Sequence, residues 1–236
     1  MELPETDALD QLLPTGGPTA VCRGVSKRYR TSAGVVVALD EVDLEIAAGS
    51  LVAVAGPSGS GKSTLLAMIS CTDRPDSGAV EVQGIDVVGL SRRQRRQVRR
   101  EHVAVVLAQP SDNLLDHLDV RQNIEWVAAL RNTTVDVDRL LAQFGMADAG
   151  TKTVRQLSGG EQQRLAIASV LAGAPALVIA DEPTASLDRA NARIVIAALR
   201  RAAELGATVV VATHDQDVVA AADVAHHMAH GRLVTS

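Results

Sequence analysis

The feature that most constrains this chain is an apolar run that leads directly into a glycine-rich loop. Residues 51–55 are apolar throughout, and the loop after them reads Gly56-Pro57-Ser58-Gly59-Ser60-Gly61-Lys62-Ser63. Such a run predicts a strand buried on both faces, and a helix is expected from Gly61 to about Ser70. Glycines in this position let consecutive backbone N–H groups surround phosphate oxygens at the N-terminus of the helix. The segment therefore predicts a nucleotide-phosphate site.

The side chains of this loop have separate predicted tasks. Lys62 is long enough to reach the β- and γ-phosphates of a nucleotide, and the Ser63 hydroxyl can bind Mg²⁺. We call residues 56–64 the phosphate loop. Its predicted ATP contacts are Gly56, Pro57, Ser58, Gly59, Ser60, Gly61, Lys62, Ser63 and Thr64.

A second predicted site lies where another apolar run ends in two acids. Residues 177–180 are apolar, and Asp181 and Glu182 follow them. A carboxylate at the end of a buried strand can hold the Mg²⁺ shell of a bound nucleotide, which is the role predicted for Asp181. In an extended chain the next side chain points to the opposite side. Glu182 is therefore expected to polarise the attacking water.

Strand and helix patterns alternate along the chain and predict an α/β domain with a helical insertion. The insertion is expected over about residues 109–175. Ser158 and Glu161 form an S-x-x-E capping box that predicts a helix start, and Gly173 and Pro175 are expected to end that helix. Residues 1–19 are expected to form a flexible tail, and residues 20–236 one domain.

Charge and composition exclude several function classes. The formal net charge is −5, which argues against nucleic-acid binding through bulk electrostatics. An arginine-rich segment at residues 91–100 lacks the interleaved aromatics that stack bases, and it is interpreted as a solvated or partner-facing helix. No apolar stretch approaches the ~20 residues of a membrane-spanning helix.

Residues 157–164, Leu157-Ser158-Gly159-Gly160-Glu161-Gln162-Gln163-Arg164, resemble the signature motif of ATP-binding-cassette (ABC) ATPases. Further residues match other motifs of that family, and they occur in the same order along the chain. They are Tyr29 as the aromatic that stacks on adenine, Gln109 as the Q-loop glutamine, Ser186-Leu187-Asp188 as the D-loop and His214 as the switch histidine. The resemblance implies a RecA-like P-loop NTPase core, an antiparallel β subdomain and a helical subdomain that carries the signature.

The resemblance also implies how the site residues divide between two chains. Glu182, His214 and Lys62 are the expected catalytic residues, and Ser63, Gln109 and Asp181 the expected Mg²⁺ ligands. Ser158, Gly159, Gly160 and Asp188 are expected to contact the ATP that a second subunit holds. A nucleotide-dependent homodimer with ATP and Mg²⁺ as its ligands is therefore expected.

Within the family, residues 71–78 and the arginine-rich segment resemble cassettes of lipoprotein-releasing, macrolide-exporting and cell-division systems. This implies a cytoplasmic ATPase, peripheral on the inner face of the cell membrane, that energises a separate membrane permease. Export of a hydrophobic compound, lipid or lipoprotein is the first expectation. The alternative is a regulatory ATPase that controls an extracytoplasmic cell-wall hydrolase through its membrane partner. Leu107 and Ala108 replace the aromatic that usually precedes the Q-loop glutamine, so the resemblance does not extend to the details of coupling to the permease.

Overall fold

A computed structural model describes residues 17–32, 34–107, 109–185 and 187–234. The strands are β1 (Pro18–Thr31), β2 (Gly34–Ala47), β3 (Leu51–Ala55), β4 (Ser77–Val82), β5 (Ile85–Asp86), β6 (Val103–Val106), β7 (Leu177–Asp181), β8 (Thr208–Thr213), β9 (Val224–Ala229) and β10 (Arg232–Val234). The helices are α1 (Lys62–Ile69), α2 (Arg92–His102), α3 (Val120–Arg131), α4 (Val137–Gln143), α5 (Gly159–Leu171), α6 (Arg189–Glu204) and α7 (Gln216–Ala221).

The first sheet is antiparallel and has the strand order β2-β1-β4-β5. Val42, Leu44 and Ile46 are buried and alternate with more exposed residues, as their period of two predicts. Strand β1 begins at Pro18, two residues before the expected domain boundary. Thr19 is buried, and its hydroxyl hydrogen-bonds the Thr208 hydroxyl of the second sheet over 2.7 Å. The rest of the predicted tail, residues 1–16, lies outside the described residues.

The second sheet has the order β10-β9-β3-β8-β7-β6. Strand β3 pairs in parallel with β8 and with β9, and all five of its residues are buried. This confirms the predicted strand that is covered on both faces. Because β3, β7 and β8 are parallel neighbours, their carboxyl ends meet at one edge, where the phosphate loop and the two acids begin.

Helices α3, α4 and α5 all lie within residues 109–175, the range expected for the helical insertion. Ser158 caps α5 and forms the predicted box with Glu161. Helix α5 ends at Leu171, just before Gly173 and Pro175 as expected, and Ala174 between them has a left-handed backbone with φ 44°. Gly173 makes room for Arg131, whose Cγ would lie 2.8 Å from an added Cβ. Among the described residues, no helix is long and apolar enough to cross a membrane.

Helix α5 joins the insertion to the parallel sheet. Its Leu165, Ile167 and Leu171 are fully buried in one core cluster with α3, α6 and strands β7 and β8. The opposite cluster packs α1 between the two sheets. The α/β core with an antiparallel sheet and a helical insertion is therefore confirmed.

Replacing Leu165 with alanine is expected to lower the free energy of unfolding by about 2–5 kcal/mol, because the side chain is fully buried and leaves a cavity. Urea denaturation followed by circular dichroism measures this loss. Leu130→Ala is the matched control, since that leucine is 59 % exposed and its loss is expected to change stability by less than about 0.5 kcal/mol. Equal losses in the two variants would contradict the assigned core.

Candidate nucleotide site

The backbone of the phosphate loop touches strands from both sheets. Gly56 and Gly61 have φ angles of 155° and 106°, which disfavour residues with a side chain. An added Cβ would lie 2.3 Å from the Met228 carbonyl oxygen at Gly56, and 2.3 Å from the Ala38 carbonyl oxygen at Gly61. Both glycines are therefore required by close backbone packing as well as by the loop conformation.

The turn between β9 and β10 holds the loop in place. The Gly231 N–H donates to the Ser60 carbonyl over 2.9 Å, and the Asp40 N–H donates to the Gly231 carbonyl over 2.9 Å. Arg232 in turn donates two hydrogen bonds to the Asp40 carboxylate, at 2.9 and 2.6 Å. The loop is thus fixed before any ligand binds, which lowers the entropic cost of binding.

Lys62 lies under the loop and is only 6 % exposed. Its ammonium donates to the Gly56 carbonyl at 2.8 Å and to the Pro57 carbonyl at 3.1 Å. It also lies 3.3 Å from Glu182 Oε1. The predicted phosphate-binding cation and the predicted catalytic carboxylate are therefore in direct contact.

Glu182 connects Lys62 to His214. Its Oε2 lies 2.9 Å from His214 Nδ1, and its backbone N–H donates to the Ala212 carbonyl over 2.9 Å. The expectation of an extended chain here is wrong, because β7 ends at Asp181 and Glu182 has φ 48°. This left-handed backbone is uncommon for a residue other than glycine and costs energy, and such strain is concentrated at functional sites.

The residues predicted to bind Mg²⁺ offer hard oxygen ligands, which suit this ion. Asp181 Oδ1 is buried and has no hydrogen-bond partner among the described residues, so it has an unused acceptor. Ser63 is exposed at the first turn of α1. Gln109 is exposed at the start of a short 3₁₀ turn, Pro110–Asp112. A buried carboxylate oxygen without a hydrogen-bond partner has the chemistry that a cation ligand needs.

Tyr29 lies near the end of β1 and is held there by its neighbours. Its hydroxyl donates to Asp73 Oδ2 over 3.0 Å, and the Lys27 ammonium lies 5.3 Å from the centre of its ring. Lys27 also forms an ion pair with Asp73 at 3.1 Å. Burial and the Asp73 carboxylate raise the pKa of Tyr29, while a hydrogen bond with Thr64 acts in the opposite direction. Because Thr64 belongs to the phosphate loop, this hydrogen bond connects Tyr29, the residue predicted to stack on adenine, to that loop.

The residues predicted to act on a second subunit's nucleotide lie together. The Ser158 hydroxyl and backbone N–H bind Glu161 Oε2 at 2.7 and 2.8 Å, which lowers the pKa of Glu161. An added Cβ on Gly160 would lie 3.0 Å from Asn191 Oδ1, and Asn191 donates to both carboxylate oxygens of Asp188. No hydrogen bond or ion pair joins Ser158 to the phosphate loop within the described residues.

Two contacts near the site were not predicted from the sequence. Lys27 and Asp73 both contact Tyr29, and the Thr184 hydroxyl donates to Asp215 over 2.9 Å. Residues far apart in the chain make these contacts, so no local motif marks them. Of the D-loop match, Ser186 lies outside the described residues, whereas Asp188 caps α6.

The ABC transporter family model matches residues 39–185, more than half of the chain. The chain belongs to the ABC transporter family. It is 38 % identical over 223 residues to the macrolide export ATP-binding/permease protein MacB of Burkholderia pseudomallei, covering 92 % of this chain and 34 % of that protein. MacB 1/2 of Paracoccus denitrificans is 38 % identical over 225 residues, which is 93 % of this chain and 33 % of that protein. This chain therefore spans about a third of the length of these relatives.

Solved structures with a similar fold support the same family assignment. The dimeric ATP-binding cassette MJ0796, in a post-hydrolysis state bound to ADP and phosphate, superposes with a TM-score of 0.73 at 30 % identity, covering 92 % of this chain and 97 % of that one. The cassette cbiO1 of Clostridium perfringens, part of the ABC transporter complex cbiONQ, has a TM-score of 0.80 at 29 % identity, covering 93 % and 88 %. The sequence and fold are those of an ABC-type ATPase.

Neutralising Asp73 is expected to lower the pKa of Tyr29, because a neighbouring carboxylate disfavours the phenolate. The chain has a single tyrosine, so the ultraviolet absorbance of its phenolate reports this pKa alone. Asp73→Asn is expected to move the titration to lower pH, and Asp148→Asn, an exposed carboxylate of the helical insertion, is the control. An unchanged titration in Asp73→Asn would contradict the Tyr29–Asp73 contact.

Proposed function

We propose that this ABC-type ATPase binds ATP with Mg²⁺ and hydrolyses it between two copies of the chain, to energise a membrane permease that exports a hydrophobic compound. One observation carries the proposal of hydrolysis: Lys62, Glu182 and His214 form a connected group beside a rigid phosphate loop. The macrolide-export relatives support export as the task.

Binding follows from the geometry of the loop. The Lys62 ammonium is held by two carbonyls and by Glu182. Phosphate oxygens that approach the ammonium compete with the Glu182 carboxylate, since both are anions. Binding of the phosphates therefore frees Glu182 to turn toward a water molecule while His214 keeps hold of its other oxygen.

Ser63, Asp181 and Gln109 are the residues proposed to hold Mg²⁺. When bound, the ion neutralises charge that develops on the phosphate oxygens. Glu182 accepts a proton from the attacking water, which is general-base catalysis. Tyr29 supplies an aromatic surface for adenine, with Lys27 and Asp73 fixing its ring.

A second copy of the chain completes the site in this proposal. Ser158, Gly159 and Gly160 begin α5, where backbone N–H groups and a positive helix end favour phosphate. Asp188 lies close to them, because the side chain of Asn191 lies next to Gly160 and also donates a hydrogen bond to Asp188. The shared location of these four residues supports a joint contact with a partner's nucleotide, and the dimeric relative gives the arrangement a precedent.

Lys62→Ala is expected to weaken ATP binding by at least about tenfold, because a charge-assisted contact to phosphate is lost. Isothermal titration calorimetry measures the affinity. Lys152→Ala is the matched control, since this lysine is exposed in the helical insertion and pairs with Glu161 rather than with the phosphate loop. Equal affinities in the two variants would refute the assignment of the phosphate loop.

Glu182→Gln separates binding from chemistry. The amide cannot accept the water's proton, so the hydrolysis rate is expected to fall by roughly 10²–10⁴ while ATP still binds. The variant is also expected to accumulate as an ATP-bound dimer, visible by light scattering. Hydrolysis at the wild-type rate would show that another group is the base.

A further inference from the structure

Two turns at the carboxyl edge of the parallel sheet carry Glu182 and His214. The pairing of β7 with β8 ends at Asp181 and Ala212, and one more backbone bond follows, from the Glu182 N–H to the Ala212 carbonyl over 2.9 Å. We call residues 182–185 the glutamate turn and residues 213–215 the histidine turn. Because the strand pairing stops at their bases, contacts between side chains set how the two turns lie relative to each other.

Thr184 connects the two turns. Its hydroxyl donates to Asp215 Oδ2 over 2.9 Å, and the residue is only 5 % exposed. A hydrogen bond to an ionised carboxylate is stronger than one between neutral groups. Thr184 lies two residues after Glu182, and Asp215 directly follows His214. The bond therefore joins the glutamate turn to the histidine turn close to both functional side chains.

Asp215 is fixed on its own side of this contact. Its Oδ1 accepts the Asp217 N–H over 2.9 Å and so caps α7. Its backbone N–H donates to the hydroxyl of Thr213, which is fully buried, over 2.9 Å. The acceptor of the Thr184 hydroxyl is thus anchored to β8 and α7, so the bond resists a displacement of the glutamate turn.

The contact between Glu182 and His214 depends on such support. The His214 side chain is 65 % exposed, so little packing fixes its ring, and its Nδ1 lies 2.9 Å from Glu182 Oε2. The left-handed backbone of Glu182, with φ 48°, costs energy and persists only where the surrounding contacts hold it. The two partners are therefore positioned by their turns more than by their own packing.

We propose that Thr184 is a positioning residue for hydrolysis, whose bond to Asp215 holds the histidine turn against the glutamate turn. This inference rests on the proposed function, because Thr184 acts through the proposed base. When phosphate replaces Glu182 on Lys62, His214 is the partner that still directs the carboxylate. The position of the histidine turn therefore matters most in the state that reacts.

Thr184→Val tests this role, because it removes the hydroxyl and keeps the branched shape. The kcat of ATP hydrolysis is expected to fall by about tenfold, since a misplaced base catalyses poorly. ATP affinity measured by calorimetry is expected to change by less than about twofold, since only the reacting state is affected. Thr184→Ser keeps the hydroxyl and is expected to retain at least about half of the wild-type kcat.

Thr208→Val is the matched control. This buried threonine begins β8, at the opposite end of the strand from His214. Its hydroxyl contacts the Thr19 hydroxyl at 2.7 Å and accepts the Gly49 N–H at 3.0 Å. The variant is expected to unfold at lower urea concentration than the wild-type chain, and to keep its kcat within about twofold while folded. A general loss of stability is thereby separated from a loss of positioning.

A double-mutant cycle with His214→Ala tests whether Thr184 acts through the histidine. In the His214→Ala chain, adding Thr184→Val is expected to change the residual rate by less than about twofold, because the contact it supports is gone. Asp215→Asn weakens the same bond from the acceptor side and keeps a capping side chain on α7. It is expected to lower kcat by at least about threefold, with the same dependence on His214, which covers the case that Thr184→Val does not fold.

The His214 ring is also observed by NMR in the nucleotide-free chain, with its signal assigned by its loss in His214→Ala. Thr184→Val is expected to shift this signal, and Thr208→Val to leave it unchanged. The inference would be overturned by a wild-type kcat in Thr184→Val, by equal losses of kcat in Thr184→Val and Thr208→Val, or by equal effects of Thr184→Val with and without His214. A wild-type chain that does not hydrolyse ATP would refute the proposed function, and the His214 signal would then test the positioning by Thr184 on its own.

Discussion

The close packing of the phosphate loop against both sheets is the constraint on which the rest of the structure depends. Gly56 meets the Met228 carbonyl of β9 and Gly61 meets the Ala38 carbonyl of β2, each at a distance that excludes a side chain. The loop is therefore shaped by strands on two sides of the domain. Because its backbone is fixed by these contacts and by Gly231, the N–H groups that we propose to bind phosphate are preorganised.

The phosphate loop also places a positive charge in the site, that of the Lys62 ammonium. Lys62 is buried beneath it and needs anionic or carbonyl partners, and Glu182 is one of them. In the proposed mechanism, Lys62 holds the Glu182 carboxylate until phosphate replaces it, which connects binding to chemistry without a large movement. The left-handed backbone at Glu182 keeps the carboxylate within reach of both Lys62 and His214. Strain at this residue is thus part of how the site is assembled.

Much of this arrangement could be predicted from the sequence, because the deciding signals are local. The apolar run before Gly56 predicted β3, and Ser158 with Glu161 predicted the start of α5. The tertiary contacts could not be predicted in this way. The clamp of Lys27 and Asp73 on Tyr29 joins residues far apart in the chain, and nothing local distinguishes Asp73 from any other surface acid.

One local interpretation failed. Glu182 was expected to continue an extended strand. In the structure its backbone is left-handed, and its carboxylate contacts Lys62 and His214. Contacts from elsewhere in the fold thus override the usual conformation of this residue.

We propose that hydrolysis requires two chains, with Ser158 of one completing the nucleotide site of the other. Mixing Lys62→Ala and Ser158→Arg chains tests it most directly. In each homodimer both sites carry one defect, whereas the heterodimer has one site with both defects and one intact site. Mixing the two variants is therefore expected to restore part of the ATP hydrolysis. No recovery under conditions where heterodimers demonstrably form would contradict it.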